Sequence, residues 1–230
     1  MSNNISLYIA AYNAEKTIEK SIKSILQQTL KPKEIIIIND CSTDKTLNLL
    51  KKFSQIKIIN NKKNYGLAKS RNIALKYSKY NFLASIDSDV VCKKNWLETL
   101  FNTMVKKKAD LIGGKLIDKY IKEPANHWRS YYLKQNWGDK QINNPQFVFG
   151  ANFLLDKKKI KNLNIKYNET FRTNGEDVNF SKVLKSKNCN LYYEPRALCY
   201  HYQFDDITSL SKRYWRYSYY GAGLKKLTLT

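Results

Sequence analysis

Through roughly the first hundred residues, short unbroken apolar runs alternate with stretches whose apolar residues recur every three or four positions. "ISLYIA" (5–10) reads as a strand. "EKTIEKSIKSILQQ" (15–28) puts Ile18, Ile22, Ile25 and Leu26 on one helical face. "EIIIIN" (34–39) has the continuous apolar character of a parallel strand covered on both sides. Asp44 is placed to cap a helix in "KTLNLLKKF", where Leu47, Leu50 and Phe53 share a face. "IKIIN" (56–60) reads as a third strand, "LAKSRNIALKYS" (67–78) as a helix entered through Gly66, and "FLASID" (82–87) as a fourth strand. This alternation predicts an α/β fold with a doubly wound, mostly parallel sheet and right-handed crossovers. Ligands of such sheets bind beyond the carboxyl ends of the strands.

The second half is less regular. A helix from Trp96 to Lys107 leads into a strand at "DLIGGKLI" (110–117). Residues 120–146, rich in Tyr, Trp, Asn and Lys, read as a loop-and-helix insertion. "FVFGANFLLD" (147–156) is apolar again, 176–187 is helical in pattern, and "LYYEPRALCYHY" (191–202) is extended. The final segment mixes basic and aromatic residues in a helical tail, and the closing "KKLTLT" carries no stop signal, which leads us to expect a longer chain.

Composition sharpens the partner. Of 230 residues 41 are Lys or Arg and 19 Asp or Glu, a net charge of +22, which favours anionic partners: nucleic acid, phosphorylated ligands or an acidic membrane surface. A 43% hydrophobic content supports a packed core and excludes a disordered chain. Cys41, Cys92, Cys189 and Cys199 form no CxxC pair, so free thiols in a reducing cytoplasm are expected. No signal peptide and no membrane-spanning run is read in the chain, which points to a protein that is soluble or sits on a surface.

Against this basic background, Asp87 and Asp89 at the end of an apolar strand stand out. Hard divalent cations prefer oxygen ligands, and Mg²⁺ commonly combines one or two carboxylates with substrate phosphates. Alone, such a pair is a weak signal, better explained as exposed acids capping the next helix; its position in the β/α alternation shifts the balance. Asp40, at the end of the second strand in "NDCSTDKT" (39–46), can accept hydrogen bonds from a nucleobase or ribose, whereas Ser42 and Asp44 read simply as turn and cap residues. Arg71 in "NYGLAKSRN" (64–72) could pair with a diphosphate, pair with Asp87, or lie on a solvated helix face.

Together, "SLYIAAYNAEKTIEKSIKSILQQTLKPKEIIIINDCSTDKT", "NYGLAKSRNIAL" and "IDSDV" resemble the nucleotide-sugar domain of family 2 glycosyltransferases, which have the GT-A fold. The resemblance implies that Ala10, Tyr12, Asn13, Asp40, Arg71, Asp87 and Ser88 serve the nucleotide-sugar, and that Asp89 binds the metal, Mn²⁺ or Mg²⁺. Departures are Ala10 where many members have Pro, Asn39 and Cys41 in place of the Asp and Gly of DDGS, and Val90 where some have a further Asp. Cys41 is expected to alter the turn beside the base. More thinly, "GAN" (150–152) resembles an acceptor-side motif and "NGEDVNF" (174–180) the motif that carries the catalytic base, which assigns that role to Asp177 with Glu176 as runner-up. Both acids also suit a helix N-terminus for dipole reasons alone. His201 resembles the further metal ligand of some members; in isolation one His among tyrosines is more often a hydrogen-bonded structural residue, the resemblance brings the two readings level, and His127 has only the structural one.

The resemblance implies an inverting, metal-assisted transfer from a nucleotide-sugar, a UDP-sugar, to a hydroxyl of a glycan or lipid-linked acceptor in envelope polysaccharide synthesis. It divides the chain into a nucleotide-sugar part (1–100), an acceptor and base part (101–205) and a tail (206–230). In "KRYWRYSYYGAGLKK" (212–226) the basic and aromatic residues suit peripheral association with the inner face of an anionic membrane, binding of the donor diphosphate, closure over the site, or plain packing. A nucleic-acid-binding module lacks any zinc spacing or aromatic RNA-binding signature here and has no use for four converging acids. A nucleotidyltransferase of similar fold would want a Gly-rich phosphate loop after the first strand, which "IAAYNAEKT" lacks.

Overall fold

Ile35, Ile36, Ile37 and Ile38 are all buried because their strand has cover on both faces. The odd-numbered pair packs with Ile18, Ile22 and Ile25, and the even-numbered pair with Ala68 and Ala74 on the opposite side. Each such burial stabilises the fold by roughly 1.5–3 kcal/mol.

The computed structural model describes residues 4–226, and side chains up to residue 219. In chain order the elements are β1 (Ile5–Ala11), α1 (Ile18–Leu26), β2 (Glu34–Asn39), α2 (Thr46–Leu50), β3 (Lys57–Asn60), α3 (Leu67–Tyr77), β4 (Phe82–Asp87), β5 (Val90–Cys92) and α4 (Trp96–Lys107). They continue with β6 (Leu111–Asp118), α5 (Pro124–Tyr132), β7 (Ile142–Asn143), β8 (Asn152–Asp156), α6 (Lys157–Asn162), α7 (Glu176–Ser186), β9 (Leu191–His201) and α8 (Ile207–Lys226). The strands form one sheet in the order β3-β2-β1-β4-β8-β6-β9-β5, with β7 beside β9.

The first four strands are parallel, as the alternation predicts, with helices on both faces. Beyond them the sheet is mixed: β8 runs antiparallel to β4 and β6, and β5 and β7 run antiparallel to β9, while β6 and β9 are parallel. β8 comes from the second half of the chain yet pairs directly with β4, so the sheet runs unbroken past residue 100. The short strands β5 and β7 and the helix α6 are not readable as periodic segments. α6, "KKKIKN", buries only Ile160 and is started by Asp156, whose carboxylate accepts the Lys159 amide at 3.0 Å. α2 ends at Leu50, short of Phe53, and its N-cap position is Lys45, not Asp44; Asp44, one residue earlier, accepts the Thr46 amide at 2.9 Å and the Glu15 amide at 3.1 Å, tying the loop before α2 to the one after β1.

Candidate active site

Parallel pairing brings the carboxyl ends of the first strands to one level: Ala10 lies beside Asp87, Ala11 beside Asn39, and Asn39 beside Asn60. The loops that follow are tied to one another. Asn13, at φ 49°, accepts the Thr43 amide at 2.8 Å, and its own amide donates to Ser42 Oγ at 3.1 Å. Cys41 adopts φ 61°, the left-handed conformation a glycine favours, so the turn expected to be altered is made with Cys instead. Asp40 is buried and accepts three donors from the chain itself: Asn61 Nδ2 at 2.7 Å, the Tyr65 amide at 2.9 Å and the Gly66 amide at 2.8 Å. It thereby shapes the entry to α3.

Arg71, one turn into α3, is fully buried, which excludes the solvated-face reading. One guanidinium nitrogen donates to Tyr8 Oη at 2.9 Å, Ser85 Oγ at 3.3 Å and the Gly150 carbonyl at 2.8 Å. The other edge meets Asp87 at 3.5 Å and Glu176 at 3.3 Å. Of the two partners foreseen for Arg71, a diphosphate or Asp87, the structure supplies Asp87. Gly150 lets the guanidinium in: a Cβ there would stand 2.5 Å from it.

Pairing of β4 with β8 sets the "GAN" stretch against the acid pair, with the Asp87 amide donating to the Ala151 carbonyl at 3.3 Å. Asn152 is buried and binds Trp96 and the Lys115 carbonyl, a structural role. Gly175, at φ 85°, turns the chain into α7 and presents two acids differently. Glu176 is buried against Arg71. Asp177 faces the cleft, with Oδ2 accepting the Gly150 amide at 2.9 Å and Oδ1 the Val178 amide at 2.8 Å. Burial, reinforced by the Asp177 charge, pushes the Glu176 carboxyl up to about 8 in spite of Arg71. Asp87 is raised by burial as well; Arg71 pulls against this and Asp89 adds to it.

His201 ends β9 between two neighbours, Val90 of β5 and Asp118 of β6. A bulge between Gly114 and Lys115 brings Asp118 into that register. Nε2 of His201 lies 3.3 Å from Asp89, and Nδ1 lies 3.2 Å from Asp118. Burial would lower the imidazole, but the two carboxylates outweigh it and raise His201 to about 9. Burial would likewise raise Asp89, and His201 holds it below the ordinary carboxylate range instead. The contacts extend outward. Arg129 of α5 binds Asp118 at 3.0 Å and Asp205 at 2.6 Å, and Asp205 in turn binds Arg213 of α8 at 3.2 Å.

A cleft of about 450 Å³ joins these parts, lined by Arg71, Asp87, Asp89, Glu176, Asp177 and His201 together with Arg213 and Tyr217 of α8. Ala10, Tyr12, Asn13, Asp40 and Ser88 are not in its lining; they lie along the same strand ends, and Tyr12 is half exposed. Asp118, Arg129 and Asp205 escaped the sequence reading. Only Asp118 carried a signal, as an acid at the end of an apolar strand, the logic that singled out Asp87. His127 is exposed and lies outside the lining of the cleft.

As ligands, Asp89 and His201 offer one oxygen and one nitrogen. Among the described residues no group of three His, Cys, Asp or Glu side chains stands ready to hold an ion. Asp89 has oxygen to give a cation completed by phosphate oxygens and water, whereas His201, raised to about 9, would have to release its proton to ligate one. The His201–Asp118 contact at 3.2 Å fixes the orientation of the imidazole.

A parallel half-sheet with acids at its strand ends, an antiparallel extension and a helix-borne carboxylate across the cleft define the GT-A class of α/β protein. The family model described as Glycosyl transferase family 2 matches residues 6–185, and the chain belongs to that family. An uncharacterized glycosyltransferase of Haemophilus influenzae is 30% identical over 187 residues, 73% of this chain and 58% of that protein. WfaP of Escherichia coli, a UDP-Glc:alpha-D-GlcNAc-diphosphoundecaprenol beta-1,3-glucosyltransferase, is 31% identical over 84% of this chain and 78% of its own length. The crystal structure of S. aureus TarS 1-349 in complex with UDP-GlcNAc shares the fold, with a TM-score of 0.72 at 20% identity over 90% of this chain and 60% of that one. The chain thus spans less than two thirds of the H. influenzae and TarS chains.

Proposed function

We propose that this protein transfers a sugar, with inversion, from a UDP-sugar to a hydroxyl of a glycan or lipid-linked acceptor. The observation that carries this reading is the position of Asp177, held by two backbone amides in the same cleft as the Asp87–Asp89 pair. Inversion needs a base that takes the acceptor proton as the hydroxyl attacks the anomeric carbon opposite the leaving diphosphate. Asp177 meets that need: each of its oxygens keeps a lone pair after accepting its amide. Glu176 is occupied by Arg71 and acts as a positioning residue. Arg71 holds buried Glu176 and also Asp87, whose side chain still opens to the cleft. Asp89 and His201 would hold Mn²⁺ or Mg²⁺, which when bound supplies positive charge to the leaving diphosphate. The names of relatives support the substrate class: WfaP uses UDP-Glc and a diphosphoundecaprenol-linked sugar, and TarS was solved with UDP-GlcNAc.

Calorimetry with UDP and Mn²⁺, run beside a UDP-release assay on UDP-glucose and UDP-GlcNAc, tests the assignment. Asp89→Ala should abolish Mn²⁺-dependent UDP binding. Asp177→Asn should keep UDP binding and slow transfer by about 10²–10⁴-fold. Unchanged turnover in either variant overturns the corresponding role.

The acceptor's lipid character also gives α8 a task. Trp215 is 65% exposed, Tyr219 is exposed, and Lys212 and Arg216 lie on the same side of the helix, while Tyr214 packs on Trp128. The side chains of Lys225 and Lys226 lie outside the described ones. No described helix is long and apolar enough to cross a membrane. We assign this face to peripheral contact with an anionic inner-membrane surface. Phosphatidylglycerol vesicles should bind the protein and phosphatidylcholine vesicles should not; equal binding, or none at low salt, refutes it.

A further inference from the structure

One wall of the cleft has no task in the transfer described above. Phe147 and Phe149 line it, with ring centroids 4.8 Å apart, and both rings remain only partly buried. Trp137 backs them at 5.1 Å and 5.6 Å and is itself locked, its indole N–H donating to the Phe147 carbonyl at 2.9 Å. The loop behind is held too: the Gly138 carbonyl accepts the Tyr193 hydroxyl at 2.9 Å. A rigid, half-bare aromatic surface is therefore presented to the cleft.

Two amides, Gln135 and Asn174, line the same cleft. The Oε1 of Gln135 and the Nδ2 of Asn174 are buried with no hydrogen-bond partner. One is an acceptor and the other a donor. Buried polar atoms are normally satisfied, so two orphans in the lining of one cleft point to a ligand that brings both kinds of group. A pyranose has that character, with an apolar C–H face for the rings and a rim of hydroxyls that donate and accept. Phe149 also precedes Gly150, whose amide holds Asp177. A ring resting on Phe149 therefore sits beside the base, which must touch the acceptor and not the nucleotide.

We propose that Phe147, Phe149, Gln135 and Asn174 form the acceptor subsite, which takes a pyranose by its apolar face and directs one hydroxyl to Asp177. This inference rests on the glycosyltransferase reading, and its test separates the two. Saturation-transfer NMR on the whole chain with UDP and Mn²⁺ would use methyl glucoside, methyl galactoside and methyl N-acetylglucosaminide as probes. At least one should receive saturation on the C–H protons of one ring face. Phe149→Ala should remove that signal, Phe149→Tyr should retain it, and UDP affinity should stay within about twofold in both, as loss of acceptor binding alone requires. With GlcNAc diphosphate on a short alkyl chain as acceptor, Phe149→Ala and Gln135→Ala should each raise acceptor KM about tenfold with donor KM unchanged. Saturation of none of the probes overturns the subsite, as does Phe149→Ala binding them like the unaltered chain. A parallel fall in UDP affinity with the fold intact by circular dichroism reassigns the wall to the donor. Failure of the unaltered chain to bind UDP sinks the glycosyltransferase reading and the subsite with it.

Discussion

Arg71 and Glu176 show how far a single side chain's surroundings reset its chemistry. On a bare helix Arg71 would be one more surface cation among 41 Lys and Arg. Buried among Tyr8, Ser85, Gly150, Asp87 and Glu176, it joins β1, β4, α7 and the loop before β8. Glu176 shares that burial, and with its carboxyl raised from 4.5 to about 8 the folded state holds a proton that the unfolded chain releases. The folded chain binds more protons between these values, so this group's contribution to stability is full below about 4.5 and is lost as pH rises toward about 8. Urea midpoints measured across that range should fall with pH. Glu176→Gln, which keeps the shape without the titration, should flatten that part of the slope. An unchanged slope would place the proton elsewhere.

Glycine and register decide how the elements meet. Gly66 enters α3 at φ 91°, and a Cβ there would stand 2.7 Å from the Arg172 carbonyl. Gly138 has a similar φ of 92° but open space around it. Gly66→Ala should therefore cost more than Gly138→Ala, about 1–3 kcal/mol for the left-handed strain plus the clash, against the strain alone. Chemical denaturation of both variants checks this, and equal losses would show that the contact with Arg172 yields freely. The bulge of β9 opposite Gly114 and Lys115 acts in the same way on the other half of the site. Without the shift between Gly114 and Lys115, Asp118 would not lie beside His201.

Across the molecule, one line of ion pairs runs from the acid pair to the tail: Asp89, His201, Asp118, Arg129, Asp205 and Arg213. It joins the β4–β5 turn, β9, β6, α5 and α8, elements far apart in the chain. Arg129 is its midpoint and is buried with Asp205. Arg129→Ala takes one of two cationic partners from buried Asp205, which keeps Arg213, and should cost about 1–3 kcal/mol. It should also weaken Mn²⁺-dependent UDP binding, because Asp118 loses one of its two partners and His201 its anchor. Denaturation and calorimetry on the same variant measure both, and a loss of stability with UDP binding intact would confine Arg129 to the fold.

Much of the first hundred residues was legible, because apolar periods of two and of three to four are local properties that pairing only completes. So were the acids Asp40, Asp87, Asp89, Glu176 and Asp177, which stand out of apolar or turn contexts in a basic chain. The sequence by itself therefore determined the β/α alternation, the parallel half-sheet and the residue types gathered at its strand ends. Only the tertiary structure decided that Arg71 is a buried hub, that His201 lies between two carboxylates, and that Phe147, Phe149, Gln135 and Asn174 wall one cleft. The physical reason is range. Those relations join residues tens of positions apart, and they are set by strand order, by one bulge and by a glycine without a Cβ, none of which has a period along the chain.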